Sequence, residues 1–559
     1  MLLALLGPAF TVAHAQAPSI TFNFDGIAGN YVFNGTTGVS SAFDPSQVFI
    51  QFAQGGSTGF DGSYTDTSNS TLTNLTLTQS GGTYFSQSLS LSQMMNQSVT
   101  ITDANSTIIY VSYGNALNVT DGAPNPTNPS DPNVATRWQP IEFTFSAGTG
   151  NQSAYGVGGG DLTAINVFSI PIQINATTDG NKTVGFNNGS STTSIVSSLT
   201  SVVPSLTIMN SNISDNSGNF VRAIAPNSFG QGTTPYNASP PAPNPYTPNV
   251  QNGYGIGPYP SWDTAVGQLA TKLQGGQTMN LTGNVAYKDS TYNIFYNYSF
   301  APNITAVPGD ASNYTISFTG NIAISGYEVA NNSVTITPQT YTNLTITMAP
   351  DRATTTGNTD MELSAAIYQQ VFTNLTVQNI STVANTTVNL TVANGTVFSV
   401  DWGNVGNLQP SIQSNISSAL QQRVWGDFSE ELLLGFPFIN ATANIDSGNL
   451  FPANPSDASP YPADAYDLAN LTAGQYNEFG QVIWDASNGT VYANPYDDRF
   501  GTNLVGPGTN ITAATWNITL LPDTTTVPEP GETAVLVAFG SLAAAYIQRK
   551  RRPKPQQVE

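Results

Sequence analysis

The sequence predicts a mainly β protein, and two features of its composition favour that class. Only 8% of its 559 residues are charged, so Glu, Lys and Arg, which favour helices, are scarce. Thr, Val, Tyr, Phe and turn-forming Asn and Gly are frequent, which is typical of short strands joined by polar turns. A chain of this length suffices for two or three domains.

The first third of the chain shows the alternation that half-buried strands require. Apolar and polar residues alternate in Ile20–Phe24, Val48–Phe52 and Ser106–Val111, and Gly, Pro and Asp separate such runs. Asp121–Asn133 is rich in Pro and Asn and therefore predicts a surface loop. We expect residues 18–175 to form a β-sandwich or a barrel-like pair of sheets.

The stretch from 176 to 424 mixes Thr-rich strands with helices. Helices are predicted near Trp262–Leu273 and Asp360–Thr373. Gln409–Val424 carries apolar residues at three- and four-residue spacing, which indicates an amphipathic helix packed on a sheet. The proline-rich run Ser239–Pro245 predicts a stiff connector.

The charge balance bears on the partners of the protein. Thirteen Lys and Arg stand against 34 Asp and Glu, giving a formal charge of −21, and five of the basic residues lie among the last eleven positions. The rest of the chain is therefore still more acidic. Such a surface repels phosphate backbones and anionic lipids, so we expect no nucleic acid partner. A neutral polymer or a divalent cation suits it better.

The first 15 residues are typical of a secretory signal peptide, because a short apolar run leads to a small-x-small cleavage pattern at Ala13-His14-Ala15. The alternative is a buried N-terminal strand. His14 is the single histidine, and the chain has no cysteine. If the signal peptide is cleaved after Ala15, the mature chain has neither imidazole nor thiol, which excludes Ser-His-Asp hydrolysis, thiol chemistry and the usual zinc, haem and iron–sulfur sites. Carboxylates, Tyr, Lys or an oxygen-ligated metal remain.

The C-terminal region has three parts in a fixed order. They are Val527-Pro528-Glu529-Pro530, an apolar run over 534–547, and the basic cluster Arg549–Arg552. The apolar run is short for a permanent membrane anchor, and the basic cluster would stay cytoplasmic. A plain C-terminal anchor is the alternative interpretation.

This arrangement over 527–552 resembles the PEP-CTERM sorting signal of Gram-negative bacteria. The resemblance implies processing near the Pro-Glu-Pro by an exosortase and a transient anchor in the inner membrane. It further implies delivery to the cell surface or the exopolysaccharide matrix.

Glu142 is the first candidate for chemistry. It alternates with Ile141 and Phe143 on a probable strand, so it shares a face with Thr144 and opposes the aromatic face. Two carboxylates suffice for glycoside hydrolysis, and Glu142 fits a general acid in a sugar cleft. The structural alternatives are an exposed strand residue or an ion-pair partner of Arg137.

Three segments resemble glycoside hydrolase family 64, the endo-β-1,3-glucanases related to thaumatin-like proteins. They are Glu142-Phe143-Thr144, the stretch Asp161–Ile172 ending in Ser-Ile-Pro-Ile, and Val491–Gly501 with its Tyr-Ala-Asn-Pro-Tyr-Asp-Asp sequence. Together they bracket residues 20–521. The resemblance implies a thaumatin-like β-sandwich over 18–175 and about 425–521. A smaller mixed α/β domain over about 176–424 would form a wide cleft with it for a β-1,3-glucan chain.

The resemblance also implies roles for individual residues. Glu142 would be the general acid of an inverting hydrolase, and Thr144 would contact substrate. The position that matches the family's general base holds Asn166, and an amide cannot take a proton from water. Asp161, five residues earlier, is the substitute base if the register or a bulge brings it into place.

Further residues are expected at the substrate. Asp497 is a second candidate base or a ligand of a sugar hydroxyl or Ca²⁺, and the alternative is a turn residue. Trp138 and Tyr496 are candidates for stacking on sugar rings, although strand aromatics more often belong to a core. We expect no cofactor and no resident metal.

The sequence is compatible with three hypotheses of function. The first is a secreted or surface-sorted β-1,3-glucan hydrolase. The second is a catalytically silent protein that binds glucan or exopolysaccharide. The third is a structural protein of the matrix.

Overall fold

The structure is a computed structural model that describes residues 18–524 with internal gaps. The gaps are 35–37, 129, 148–155, 178–179, 213–215, 231–258, 261, 289–291, 308–309, 329–333, 349–366, 368–375, 379–386, 393–396, 402–423, 440–444, 447–464, 496, 498–503 and 507–512. The predicted signal peptide and sorting signal, the proline-rich connector and most of the helices predicted at Asp360–Thr373 and Gln409–Val424 lie outside the described residues.

In the described part of the chain, fifteen strands precede the first α-helix. They are β1 Ser19–Gly26, β2 Tyr31–Val32, β3 Ser40–Ser41, β4 Val48–Gln54, β5 Phe60–Thr65, β6 Leu72–Asn74, β7 Thr78–Ser80, β8 Thr83–Phe85, β9 Leu89–Ser90, β10 Ser98–Tyr113, β11 Arg137–Ala147, β12 Gly156–Leu162, β13 Val167–Phe168, β14 Ile172–Ala176 and β15 Lys182–Gly185. The strands predicted at Ile20–Phe24, Val48–Phe52 and Ser106–Val111 are confirmed by β1, β4 and β10.

The remaining elements follow in chain order. They are helix α1 Thr192–Val202, β16 Ile208–Asn212, β17 Ser217–Ile224, helix α2 Asp263–Gln274, β18 Met279–Lys288, β19 Tyr292–Val307, β20 Asp310–Glu328, β21 Val334–Met348, β22 Thr376–Gln378, β23 Thr387–Val392, β24 Val397–Asp401, helix α3 over 424–433, helix α4 Phe436–Ile439, β25 Ile445–Asp446, helix α5 Glu478–Ser487 and β26 Ala513–Leu520. Helix α2 confirms the helix predicted near Trp262–Leu273.

The largest described sheet has 13 strands and folds over itself through β10. The first half of β10 pairs with β1 and β5, and its second half pairs with β4 and β11. A register shift between Ala104 and Thr107 marks a bulge, and Ser106 there has a positive φ of 47°. Because a bulge bends a strand and increases its twist, β10 can serve both layers of a sandwich.

The core lies between these two layers. In β1, Phe22 is fully buried and alternates with polar Thr21 and Asn23. Its ring contacts Phe143 of β11 at 5.0 Å and Trp516 of β26 at 5.4 Å. Burying one such side chain contributes about 1.5–3 kcal/mol. The early strand β1 pairs in parallel with the late strand β26, so residues far apart in sequence close the same layer.

A second sheet follows within residues 279–446. Its longest strands, β19, β20 and β21, are antiparallel neighbours, and β18 lies beside β19. Phe318 of β20 packs against Phe428 of α3, with ring centroids 5.4 Å apart. The described residues therefore form several sheets with few helices, and the expectation of a mainly β protein is confirmed. Among them no helix is long and apolar enough to cross a bilayer.

Candidate functional site

The pairing of β11 with β12 brings two carboxylates together. Glu142 and Asp161 are direct cross-strand partners, and Ile141 pairs with Leu162 beside them. Residues opposite each other in antiparallel strands have Cβ atoms about 4.5–5.5 Å apart on the same face of the sheet. The two carboxylates therefore form a pair on the outer face of the layer that contains β11.

On the side away from β12, the strand β10 lies next to Glu142. Ile108 is its partner there, and the sheet continues to Ala53 of β4. Tyr110, two residues along β10, is buried, and burial together with the charge of Glu142 raises the pKa of its phenol. The phenol therefore stays protonated over the ordinary pH range. Sequence analysis did not identify Tyr110 as part of the site.

Glu142 has the environment of a general acid. Burial raises the pKa of its carboxyl above the ordinary value of 4.5. Among the described residues no group donates a hydrogen bond to this carboxyl and none forms an ion pair with it. Desolvation without a compensating partner favours the protonated form of a carboxyl group. Burial of Glu142 therefore favours the protonated form of its carboxyl group.

Thr144 and a run of glycines leave the neighbouring part of this face open. Thr144 is exposed, pairs with Gly159, and accepts a hydrogen bond at Oγ1 from the amide of Ser106 at 3.1 Å. Gly160 lies on the core side, where a Cβ would come within 2.8 Å of the Trp516 ring. Glycine is needed at 160 because of this close packing.

The late sequence segment borders the other edge of β12. Tyr492 forms an isolated parallel bridge with Thr163, and its amide donates to Leu162 O at 2.9 Å. Farther along, Gly160 and Val505 exchange backbone hydrogen bonds of 2.8 Å in both directions. β12 is therefore held on both sides, which fixes the position of Asp161.

Asn166 lies outside the strand that carries Asp161. β12 ends at Leu162, and Asn166 lies on a bend beyond it rather than on the strand of Asp161. Its side-chain oxygen accepts from Asn227 Nδ2 at 2.7 Å, and its backbone oxygen accepts from Ser228 Oγ at 2.6 Å. Asn166 thus ties this bend to the turn at 226–230. The direct cross-strand partner of Glu142 is Asp161 and not Asn166.

Asp497 is a turn residue. It is fully buried, and its Oδ2 accepts hydrogen bonds from the amides of Ala493 at 2.7 Å and Asn494 at 2.8 Å. Its Oδ1 accepts from Asn494 Nδ2 at 3.1 Å. The interpretation as a base or sugar ligand is corrected, since the carboxylate caps its own turn and does not reach solvent. Tyr496 lies outside the described residues.

Trp138 is also covered by protein. It is 3% exposed and packs edge-to-face on Tyr110 at 5.7 Å. The guanidinium of Arg222 lies over its ring at 5.2 Å. Arg222 in turn donates to the backbone oxygens of Asn133, Val134 and Thr136. Trp138 therefore packs against Tyr110, and its buried ring offers no open face for a sugar.

Arg137 is not the partner of Glu142. It points to the opposite side of β11 and forms a buried ion pair with Asp523, with Nη1 and Oδ1 2.7 Å apart. Its Nη2 donates to Ser169 O at 2.6 Å. The structural alternative of a Glu142–Arg137 pair is therefore wrong, since alternation along β11 separates the two side chains.

Comparison with known proteins supports the family resemblance over part of the chain. The model of glycoside hydrolase family 64, described as beta-1,3-glucanase, matches residues 53–307, which include Glu142 and Asp161. Comparison with curated proteins finds no significant match.

Two solved structures are remotely similar. One is a laminaripentaose-producing beta-1,3-glucanase in complex with laminaritetraose, with 12% identity and a TM-score of 0.43 over 91% of this chain and 99% of that one. The other is a beta-1,3-glucanase domain from Clostridium beijerinckii, with 13% identity and a TM-score of 0.37 over 90% of this chain and 98% of that one.

Proposed function

We propose that this protein is an endo-β-1,3-glucan hydrolase that inverts anomeric configuration, with Glu142 as general acid and Asp161 as general base. The observation that carries the proposal is the direct pairing of these two residues across β11 and β12. The match of residues 53–307 to a β-1,3-glucanase family supports the choice of substrate. Glycoside hydrolysis needs only two carboxylates, which suits a site that has neither imidazole nor thiol.

The proposed reaction follows from the roles of the two carboxyl groups. Glu142 donates its proton to the glycosidic oxygen as the bond to the anomeric carbon breaks. Asp161 removes a proton from a water molecule that attacks that carbon from the opposite face. An inverting pair requires about 6.5–9.5 Å between carboxyl groups, which the longer Glu side chain allows between cross-strand partners. Thr144, exposed on the same face, is placed to contact the sugar.

The test is hydrolysis of laminarin by the full chain and two isosteric variants. We expect wild type to release β-1,3-oligosaccharides whose new reducing ends first appear as the α anomer, observed by NMR. Glu142→Gln and Asp161→Asn should each lower the rate on the order of 10²–10⁴-fold, the usual contribution of a general acid or base. Asp121→Asn, in an exposed loop, is the matched control and should retain full activity.

Other outcomes would reject parts of this proposal. New ends that appear as the β anomer would reject inversion. Binding of wild type to insoluble glucan without any release would favour the silent binding protein. That hypothesis depended on Asn166 as the base position, and Asn166 instead lies on the bend beyond β12. Absence of both binding and release would favour the matrix protein.

We further propose that the protein is exported and sorted to the surface or matrix of a Gram-negative cell. The apolar leader over 1–15 and the ordered Pro-Glu-Pro, apolar and basic parts over 527–552 support this destination. In a host with an exosortase, a Pro528→Ala/Glu529→Ala variant should accumulate in the inner membrane while wild type reaches the surface. Equal fractionation of the two would count against sorting through this signal.

A further inference from the structure

The outer face of the layer containing β1 carries an ordered row of uncharged polar side chains. The strands β15, β14, β26, β1 and β10 are consecutive neighbours, and the register aligns one residue from each. These residues, called here the amide row, are Thr183, Asn175, Asn517, Asn23 and Ser98.

Hydrogen bonds order the amide row before any ligand binds. Ser98 Oγ donates to Asn23 Oδ1 at 2.7 Å, and Asn23 Nδ2 donates to Asn517 Oδ1 at 3.1 Å. At the far end, Asn175 Nδ2 donates to Thr183 Oγ1 at 2.8 Å. An amide offers two donors and an acceptor, so each Asn keeps capacity for an outside partner. Because these rotamers are already fixed, a ligand would bind with a smaller entropic cost.

The amide row borders a surface depression of about 590 Å³. Asp25, Gln97 and Thr519 line it together with Asn23, Ser98 and Asn517, and Asp25 is the only charged residue of its lining. Apart from Asp25 and the apolar Phe24 and Ile518, the lining consists of uncharged polar residues.

We propose that the amide row and its depression form a second binding site for a neutral polysaccharide, separate from the Glu142–Asp161 site. The choice of β-1,3-glucan as that polysaccharide rests on the proposed function. Uncharged donors and acceptors match the hydroxyl groups of a neutral sugar polymer. A polyanion would meet Asp25 and a protein of formal charge −21, and the lining offers no cation to pair with it.

The two sites lie on opposite outer faces of the sandwich. Asn23 alternates with Phe22, and Glu142 alternates with Phe143, while Phe22 and Phe143 meet in the core between the layers. A short oligosaccharide in the Glu142–Asp161 site therefore does not reach the amide row. The second site would instead hold the protein on a neighbouring chain of an insoluble particle.

The test compares insoluble and short soluble substrates with the full chain. The variant Asn23→Ala/Asn517→Ala should reduce retention on insoluble β-1,3-glucan at least tenfold. Its rate on a soluble β-1,3-pentasaccharide should stay within twofold of wild type. Gln79→Ala, an exposed amide on the distant strand β7, is the control and should change neither. Thr519→Arg, which adds a long side chain to the depression from a half-buried position, should reproduce the loss of retention if the double variant proves unstable in a melting experiment.

Three results would overturn the inference. One is unchanged retention in both folded variants, and another is a parallel loss of retention and of the pentasaccharide rate. The third is a wild-type dimer, measured by light scattering, that Asn23→Ala/Asn517→Ala separates, since the face would then join copies of the chain. If wild type cleaves no glucan yet the variants lose retention, the proposed hydrolase fails and the second site stands. If wild type cleaves glucan and neither variant changes retention, the proposed hydrolase stands and the second site fails.

Discussion

Asp523 and Glu142 are two carboxylates in the same sandwich whose surroundings differ in one decisive respect. Asp523 is buried with partners, since Oδ1 pairs with Arg137 at 2.7 Å and Oδ2 accepts from the amide of Val32 at 2.5 Å. Glu142 is largely shielded from water, and no described residue compensates its charge. Both residues have lost water, but only Asp523 has gained replacement partners.

This difference distinguishes a carboxylate that stabilises the fold from one that is a candidate for proton transfer. Partners within the fold satisfy the Asp523 carboxylate, and its pair with Arg137 ties the segment after β26 to β11. Glu142 is held toward its neutral form, since a desolvated charge without partners is costly. Ionisable groups with shifted pKa values cluster at functional sites, so the desolvated carboxyl of Glu142 marks a candidate site.

Among the substitutions that test the contrast between Glu142 and Asp523, Glu142→Gln should have the largest effect. It should lower glucan hydrolysis on the order of 10²–10⁴-fold, because Gln has no proton to donate. At neutral pH the same variant should melt at a higher temperature than wild type, since the buried charge is gone. Calorimetry with reducing-end assays would check both. A lower melting temperature would show that the Glu142 carboxylate is compensated after all.

The raised pKa of Glu142 determines how the stability of the protein should change with pH. Because the folded pKa of Glu142 is raised, the folded state binds more protons than the unfolded state between the two pKa values. Its contribution to stability is therefore full below the ordinary pKa of 4.5 and is lost as pH rises through the folded pKa. Activity should fall over the same interval, as the acid ionises. Melting curves against pH should show this loss in wild type and not in Glu142→Gln.

These two carboxylates also show how far the sequence alone could lead. Alternation around Glu142 correctly predicted its strand, its face and its neighbour Thr144, because period-two patterns are local. The partner of Glu142 was not determined by local pattern. Gly156–Leu162 contains four glycines, and glycine has a low propensity for strands. The sequence therefore predicted neither this strand nor its register with β11. The Arg137–Asp523 pair spans 386 positions and has no local signal at all.

Asp523→Asn should have the second-largest effect, and on stability rather than on activity. Removing one charge from a buried pair leaves Arg137 uncompensated and typically costs about 3–5 kcal/mol. Denaturant titration would measure the loss, and hydrolysis per folded molecule should be unchanged. The double variant Arg137→Met/Asp523→Leu should recover part of the stability, because no buried charge is left unpaired. If the double variant is less stable than Asp523→Asn, hydrogen bonds from Arg137 matter more than its charge.

Gly160→Ala tests the strand that carries Asp161 and should have a smaller effect. The added Cβ would lie 2.5 Å from Glu142 O and 2.8 Å from the ring of Trp516. Overpacking of this kind costs about 1–3 kcal/mol. It should also lower activity, because β12 must move relative to β11. At the neighbouring Gly159 the nearest atom is Val505 O at 3.1 Å, so Gly159→Ala is the matched control for stability. Equal losses from both would mean that β12 is flexible rather than fixed by packing.

Asn166→Ala should have the smallest effect, and it separates the site seen in the structure from the one that the resemblance implied. The substitution removes the bond from Asn227 Nδ2 and leaves the backbone bond to Ser228 intact, so about 0.5–1.5 kcal/mol of stability should be lost. Hydrolysis should stay within about threefold of wild type, because Asp161 and not Asn166 faces Glu142. Asn166→Asp should likewise bring no gain in rate. A large gain with Asp at 166 would mean that the base acts from the bend, and Asp161 would then be a structural neighbour of the acid rather than its partner.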